Sequence, residues 1–168
     1  MGTPEFALPI MEAITNSPHK IAAVYTKTPK KSKRGQNINI SPVHQYSEKL
    51  NLEVRHPENL NNDKEIQFFE RINPDVVIVV AYGKILPKKI LDLKNIKFLN
   101  IHASLLPKWR GAAPIQRSII NMDKETGISI MKILPKLDSG PIMLQEKIKI
   151  TNDDDYISLS KKLSILGS

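Results

Sequence analysis

The stretch Val76-Val77-Ile78-Val79-Val80 decides the fold class, because it is a run of five apolar, β-branched residues. A short run of this kind predicts a strand that is buried on both faces, like an interior strand of a parallel sheet. The turn sequence Asn73-Pro74-Asp75 precedes the run, and the loop Ala81-Tyr82-Gly83 follows it. Residues 76–80 are therefore predicted to form an interior strand.

Helices and strands alternate on both sides of this strand. Apolar spacing and capping signals predict helices over residues 6–16, 41–50, 63–72, 86–91, 113–120 and 153–166. Apolar runs predict further strands over residues 21–25, 52–55, 97–101, 128–133 and 142–150, and residues 26–40 are predicted to be a basic loop. The alternation favours the α/β class, with a doubly wound, mostly parallel, Rossmann-like sheet and helices on both faces.

The two ends of the sequence depart from this pattern. Gly2-Thr3-Pro4 is typical of a loop that leads into a helix, whereas a doubly wound sheet normally has a strand before that loop. Leu166-Gly167-Ser168 ends the sequence while the helical pattern is still running. We therefore expect a single domain over residues 1–168 that lacks the first strand of its sheet and is truncated at both ends.

Composition excludes several classes of function. The 168 residues include no cysteine, which excludes disulfides, thiolate catalysis and cysteine-type zinc sites and fits a cytoplasmic protein. No apolar run reaches the ~20 residues that span a bilayer, so we expect no membrane association. The net charge of +8 indicates either a polyanionic partner such as RNA or a lysine-rich solvated surface.

Polar side chains at the end of the strand at 97–101 are candidates for chemistry. Asn100 and His102 lie two residues apart, so they are predicted to share a face at the carboxyl end of that strand, where open α/β sheets bind ligands. An amide beside an imidazole could stabilise a carbonyl oxyanion, although a pair of hydrogen-bonded structural residues is an equally good interpretation. Asp138, in a glycine-containing loop, could orient His102 or accept a proton, or could simply form a turn.

Three other groups of residues bear on the function. The basic loop could bind a phosphate backbone or could be a solvated charge run; its cations are Lys27, Lys30, Lys31, Lys33 and Arg34. Trp109 and Arg110 could lie beside the cleft, or could contribute packing and a turn. The remaining histidines are isolated, so the spacing predicts no metal site.

Three motifs together resemble the folate-dependent formyltransferases. They are Asn100-x-His102-x-Ser104-Leu105-Leu106-Pro107, then Arg110-Gly111, then Leu137-Asp138-Ser139-Gly140-Pro141. The start Gly2-Thr3-Pro4-Glu5-Phe6, the run Arg110-Gly111-Ala112-Ala113-Pro114-Ile115-Gln116, and Arg34-Gly35 followed by Ser41-Pro42-Val43 resemble the methionyl-tRNA branch. The resemblance covers essentially the whole chain.

This resemblance implies transfer of a formyl group from 10-formyltetrahydrofolate to the α-amino group of methionyl initiator tRNA, in translation initiation. By the resemblance, Asn100, His102 and Asp138 match the catalytic trio, without a metal. The implied folate contacts are Ser104, Leu105, Leu106 and Pro107, together with Tyr82, Gly83, Ile85 and Leu86 of the pterin-pocket loop. The basic loop resembles the segment that holds the tRNA acceptor arm, with Arg34 as the best single candidate.

Two alternatives remain open at this point. The chain could be another folate-dependent formyltransferase that acts on a sugar nucleotide or on glycinamide ribonucleotide. It could also be a catalytically silent fragment that binds only folate or RNA, since family members carry a C-terminal β-barrel domain that this sequence lacks. The resemblance implies no obligate protein partner.

Overall fold

The computed structural model describes residues 1–31 and 38–168, which form six α-helices and eight strands within those ranges. The helices are α1 (Leu8–Thr15), α2 (Pro42–Lys49), α3 (Asp63–Ile72), α4 (Lys88–Leu91), α5 (Pro114–Ile120) and α6 (Tyr156–Leu166). The strands are β1 (Val24–Tyr25), β2 (Lys30–Lys31), β3 (Ile38–Asn39), β4 (Val54–Arg55), β5 (Val76–Val79), β6 (Lys97–His102), β7 (Glu125–Lys132) and β8 (Ile142–Lys149). A 3₁₀ turn, Glu5–Ala7, precedes α1.

The principal sheet has the strand order β5-β6-β7-β8. β5 runs parallel to β6, whereas β7 is antiparallel to both β6 and β8. β1 and β4 form a separate parallel pair. The α/β class is confirmed. The sheet is mixed, because β7 runs in the opposite direction to β5, β6 and β8.

Residues Met1 and Gly2 lie between β1 and β5. The Gly2 amide donates to the Tyr25 carbonyl at 2.9 Å, and the Val80 amide donates to the Met1 carbonyl at 2.8 Å. Gly2 and Val80 form a single parallel bridge. A bridge thus occupies the position where a doubly wound sheet has its first strand, and the described residues contribute no longer strand there.

Two apolar cores cover the two faces of the sheet, so the prediction of helices on both faces is confirmed. Buried residues of α1, α5 and α6 form one core with Val80 and Ile101, and buried residues of α3 and α4 form the other with Val77 and Phe98. β5 supplies apolar side chains to both faces, as its sequence predicts: Ile78 packs against the first core and Val77 belongs to the second. Val76 is the exception, since it is 41% exposed at the start of the strand.

Local sequence signals explain most of the element boundaries. The Ser41 and Asn62 side chains accept hydrogen bonds from the first turns of α2 and α3, as N-caps do. Asp155 forms a capping box with Ser158, so the last helix begins later than residue 153. The loop prediction for residues 26–40 was wrong at both ends of the basic segment, where β2 and β3 pair antiparallel.

A buried ionic network connects β1, β4 and α3. Glu65, whose side chain is 8% exposed, accepts hydrogen bonds from Tyr25 at 2.6 Å and from Arg55 at 2.7 Å. The Arg55 guanidinium also lies 3.8 Å from the ring centroid of Phe68. Burial opposes ionisation of Glu65, but the hydrogen bonds from Arg55 and Tyr25 outweigh it and hold the pKa of Glu65 below its ordinary 4.5.

Replacing Arg55 with alanine should lower the free energy of unfolding by about 3 kcal/mol. This is the lower end of the cost of removing one partner of a buried ion pair, because Arg55 is itself 24% exposed. Urea denaturation at pH 7 measures the change. Lys147→Ala, which breaks an exposed pair with Glu125 at 3.3 Å, is the control and should cost less than about 1 kcal/mol. Equal losses in the two variants would contradict this account.

The same network gives a pH signature. Because the folded-state pKa of Glu65 is depressed, its stabilisation is present above the ordinary value of 4.5 and is lost as the pH falls through the lower folded value. The wild-type chain should therefore lose more stability in that acidic range than Glu65→Gln does. Parallel denaturation series of the two proteins measure the difference, and superimposable pH profiles would contradict the assignment.

Candidate active site

β6 places two polar side chains at the floor of a cavity. Asn100 and His102 both line a cavity of about 660 Å³ at the carboxyl ends of β5 and β6. β6 is paired on both sides, opposite Val79 of β5 and Met131 of β7 at Asn100. The prediction that the two side chains share a face is confirmed: Asn100 is paired on both sides, and His102 is paired with Ser129 of β7.

Asp138 comes to this pair from the loop between β7 and β8. Its Oδ1 lies 3.4 Å from Asn100 Nδ2, which is a long hydrogen bond, and its Oδ2 lies 3.8 Å from His102 Nδ1. The shortest contact is with the Gly111 amide, which donates to Asp138 Oδ2 at 2.7 Å. The fold therefore brings the three candidate residues together, and Gly111 fixes the carboxylate.

The ring of His102 is oriented by a backbone carbonyl. His102 Nε2 lies 3.0 Å from the Trp109 carbonyl oxygen, which can only accept a hydrogen bond, so Nε2 carries a proton. In the neutral ring, Nδ1 is then the unprotonated nitrogen, and it faces Asp138 and the cavity. The contact thus assigns the tautomer and leaves Nδ1 available for proton transfer.

Several residues around the cavity have left-handed backbone conformations, which residues other than glycine seldom adopt. Ala81, Ala113 and Asp138 line the cavity with φ of 46°, 56° and 43°, and Trp109 has φ of 58°. Each such residue costs of the order of 1–3 kcal/mol and persists only where the surroundings fix it. Their concentration here indicates a site whose shape is imposed by the rest of the fold.

The loop after β5 forms one wall of the cavity, and folate contact by this loop stays a prediction. Tyr82, Gly83, Ile85 and Leu86 all line the cavity. Tyr82 is 1% exposed, and burial raises the pKa of its phenol to about 12, so the hydroxyl stays protonated. Its Oη has no hydrogen-bond partner within the described residues.

Apolar side chains form the rim, and the sequence analysis assigned Leu134, Leu137 and Tyr156 no role in the site. Leu134, Leu137 and Tyr156 line the cavity and are 37%, 64% and 49% exposed, beside Ile85 at 85%. Large apolar residues in the loop that carries Asp138 were the available signal. The combination of an apolar rim and a polar floor is typical of a small-molecule site.

The segment Ser104 to Pro107 does not line this cavity. Ser104 is fully buried, and its hydroxyl donates to the Lys108 carbonyl at 2.6 Å. Ser129 Oγ accepts from the Leu106 amide at 3.0 Å and donates to the Ser104 carbonyl at 2.6 Å. The segment is therefore a hydrogen-bonded turn behind the site, and folate contact by Ser104, Leu105, Leu106 and Pro107 stays a prediction.

The basic residues are placed unevenly with respect to the cavity. A Cβ added to Gly83 would collide with the ammonium group of Lys27, so Lys27 lies against the cavity wall. Lys30 and Lys31 form β2, whereas Lys33 and Arg34 lie outside the described residues. The structure brings one predicted tRNA contact, Lys27, to the edge of the site.

Trp109 faces away from the cavity. Its indole N–H donates to Asp123 at 2.7 Å, so the packing interpretation holds for its side chain, while its carbonyl contacts His102. Within residues 1–31 and 38–168, no cluster of three or more potential metal ligands lies together. In the same ranges, no helix has both the length and the apolar character that crossing a membrane requires.

Comparison with known proteins gives the family. A family model described as formyl transferase matches residues 1–167. A methionyl-tRNA formyltransferase from Pelagibacter ubique is 54% identical over 169 residues, covering 100% of this chain and 54% of that protein. A methionyl-tRNA formyltransferase from a Wolbachia of Drosophila simulans is 49% identical over 168 residues, covering 100% and 56%. The chain thus spans about half the length of these curated relatives.

Solved structures show the same fold at lower identity. A phosphoribosylglycinamide formyltransferase from Bacillus halodurans superimposes with a TM-score of 0.78 at 22% identity, covering 99% of this chain and 85% of that one. A sugar N-formyltransferase from a Shewanella species gives a TM-score of 0.61 at 23% identity, covering 73% and 47%. The family model that matches residues 1–167 shows that the chain belongs to the formyl transferase family.

Proposed function

We propose that this chain carries the formyl-transfer chemistry of a methionyl-tRNA formyltransferase. Its substrates would be 10-formyltetrahydrofolate and the α-amino group of methionyl initiator tRNA. The observation that carries the proposal is the convergence of Asn100, His102 and Asp138 at the floor of one cavity. The names and the 49–54% identity of two curated relatives support the choice of substrate.

The cavity suits a small-molecule formyl donor. Its volume of about 660 Å³ lies within the range of small-molecule sites, and its walls are mostly apolar with a few convergent polar groups. The donor supplies the formyl carbon, and the residues at the floor act on the charge that develops there.

Asn100 stabilises the oxyanion in this mechanism. When the amine attacks the formyl carbon, a new C–N bond forms and the carbonyl π electrons move to oxygen. The Asn100 amide, on a rigid interior strand, can donate a hydrogen bond to that oxygen, and donors of this kind are effective where water is excluded. Its long 3.4 Å contact with Asp138 is weak enough to be exchanged for the oxyanion.

In this mechanism His102 transfers the proton, and the Asp138 carboxylate faces the imidazolium that forms. An α-amino group has an ordinary pKa of about 7.7–8.0, so a useful fraction is neutral and can attack. His102 Nδ1, unprotonated in the tautomer that Trp109 selects, can accept the proton that the attacking nitrogen loses. The resulting imidazolium faces the Asp138 carboxylate and can donate to the oxyanion, and the proton then goes to the departing folate nitrogen as the old C–N bond breaks.

The basic segment would hold the tRNA. Lys27 lies against Gly83 at the cavity wall, and the other cations follow it within seven residues of sequence. A phosphate backbone bound there would run past the mouth of the cavity, which is the geometry that presentation of an aminoacylated 3′ end requires. The net charge of +8 favours such a partner.

Asn100→Ala should lower the single-turnover rate of formyl transfer to methionyl-tRNA by about 10²–10³-fold, because one oxyanion donor is lost. His102→Ala should lower it at least as much. Rapid-quench measurements with labelled formyl donor give the rates, and Asn61→Ala, at an exposed position, is the matched control.

Equal rates for wild type and His102→Ala would contradict the catalytic proposal, and donor binding without transfer would indicate a silent fragment. Faster transfer to glycinamide ribonucleotide or to an amino sugar nucleotide would redirect the substrate assignment.

Replacing Lys27, Lys30, Lys31, Lys33 and Arg34 with glutamine should weaken tRNA binding and flatten its dependence on salt. Each lost phosphate contact reduces the slope of log K against log salt by about 0.7–0.9. The charge-matched control replaces five exposed lysines elsewhere with glutamine: Lys20, Lys64, Lys94, Lys124 and Lys161. Filter binding over a salt series gives both slopes, and identical slopes would show that the basic segment makes no special contact.

A further inference from the structure

The carboxylate of Asp123 is a hydrogen-bonding centre outside the cavity. It lies in the turn between α5 and β7, and its side chain is 5% exposed. Oδ1 accepts from Lys108 Nζ and from Asn121 Nδ2, each at 2.7 Å, and Oδ2 accepts from Trp109 Nε1 at 2.7 Å. Burial opposes the charge, but these donors outweigh it and hold the pKa of Asp123 below its ordinary 3.8.

Trp109 connects this carboxylate to the catalytic histidine. Its indole N–H donates to Asp123, while its carbonyl oxygen lies 3.0 Å from His102 Nε2. The residue has φ of 58°, in a region that bulky side chains seldom occupy. A conformation of this kind persists only when its surroundings fix it, and the bond to Asp123 supplies an anchor at the far end of the side chain.

We propose that Asp123 is a positioning residue for the formyl transfer: by anchoring the Trp109 indole, it aims the Trp109 carbonyl at His102 Nε2. That contact keeps the proton on Nε2 and presents Nδ1 to the cavity and to Asp138. Asp123 touches none of the reacting groups. Its catalytic consequence rests on the proposed function, whereas its effect on the His102 tautomer does not.

The tautomer can be measured directly. With ¹⁵N-labelled histidine, the ring-nitrogen shifts of the four histidines are recorded, and His102→Gln identifies the signals of His102. In the wild type, the neutral ring should carry its proton on Nε2. Trp109→Phe removes the indole N–H together with one ring of the side chain, and Asp123→Asn keeps the side-chain size but removes the charge of the acceptor. Both should shift His102 towards a mixture of tautomers. Asn121→Ala, which removes a donor to the other carboxylate oxygen, should leave the wild-type pattern.

The kinetic effect should fall on kcat. Because misplacing a proton acceptor slows the chemical step and leaves binding intact, Trp109→Phe and Asp123→Asn should each lower kcat about tenfold or more. The KM values for both substrates should stay within about twofold. The double variant should be no slower than the more impaired single variant, since both changes break one contact.

Two results would overturn the proposal. One is a wild-type His102 tautomer and a wild-type kcat in Trp109→Phe. The other is a loss that appears only in the melting temperature, with the tautomer unchanged, which would show that Asp123 merely stabilises the loop. If the wild-type chain transfers no formyl group to any amine, the proposed function fails, and the ring-nitrogen shifts still decide whether Asp123 orients His102.

Discussion

The hydrogen bond from the Gly111 amide to Asp138 Oδ2 is the contact on which the site depends. It ties the loop after β6 to the loop between β7 and β8, which are separate in sequence. The distances of 3.4 Å to Asn100 and 3.8 Å to His102 are too long to hold a carboxylate in place by themselves. Asp138 also has a left-handed backbone, so its position needs an external anchor. A glycine with φ of 83° lets the chain bring its amide to that point.

In the proposed mechanism, the backbone of β6 holds the polar groups in place before substrate arrives. Asn100, the proposed oxyanion donor, is paired with strands on both sides, and His102, the proposed proton acceptor, is paired with β7. Apolar side chains at the rim, such as Ile85 and Leu137, are exposed at the cavity. The buried ionic network around Glu65 lies under the other wall, because Tyr82 belongs to the same apolar core as Tyr25. Stability and site construction therefore share one side of the sheet.

Much of the fold could be predicted from the sequence, because capping residues and apolar periodicity are local signals. Ser41 and Asn62 mark helix starts, and the run at 76–80 marks β5. Strand direction is not a local property, so the sequence pattern does not predict that β7 is antiparallel to its two neighbours. Likewise, only two residues of the predicted strand at 21–25 find a partner, since pairing depends on where β4 lies.

The candidate site could also be predicted only in part from the sequence. Strand periodicity correctly placed Asn100 and His102 on one face, and the resemblance pointed to Asp138, whose proximity only tertiary structure could reveal. The Arg110-Gly111 motif does not predict the contact of Gly111 with Asp138, because a backbone amide donates whatever the side chain is. Ser104 belongs to the motif, but the motif does not say whether its hydroxyl faces a ligand or the interior. In the structure the hydroxyl donates to the Lys108 carbonyl.

The measurement that tests the central claim most directly is the single-turnover rate of formyl transfer by Asp138→Asn. Asparagine keeps the shape and can still accept a hydrogen bond from Gly111, but it removes the charge that faces His102. The rate should fall by at least about 100-fold, the scale of a general acid–base contribution, with circular dichroism and unfolding midpoint close to wild type. A folded variant that transfers the formyl group at the wild-type rate would contradict the claim.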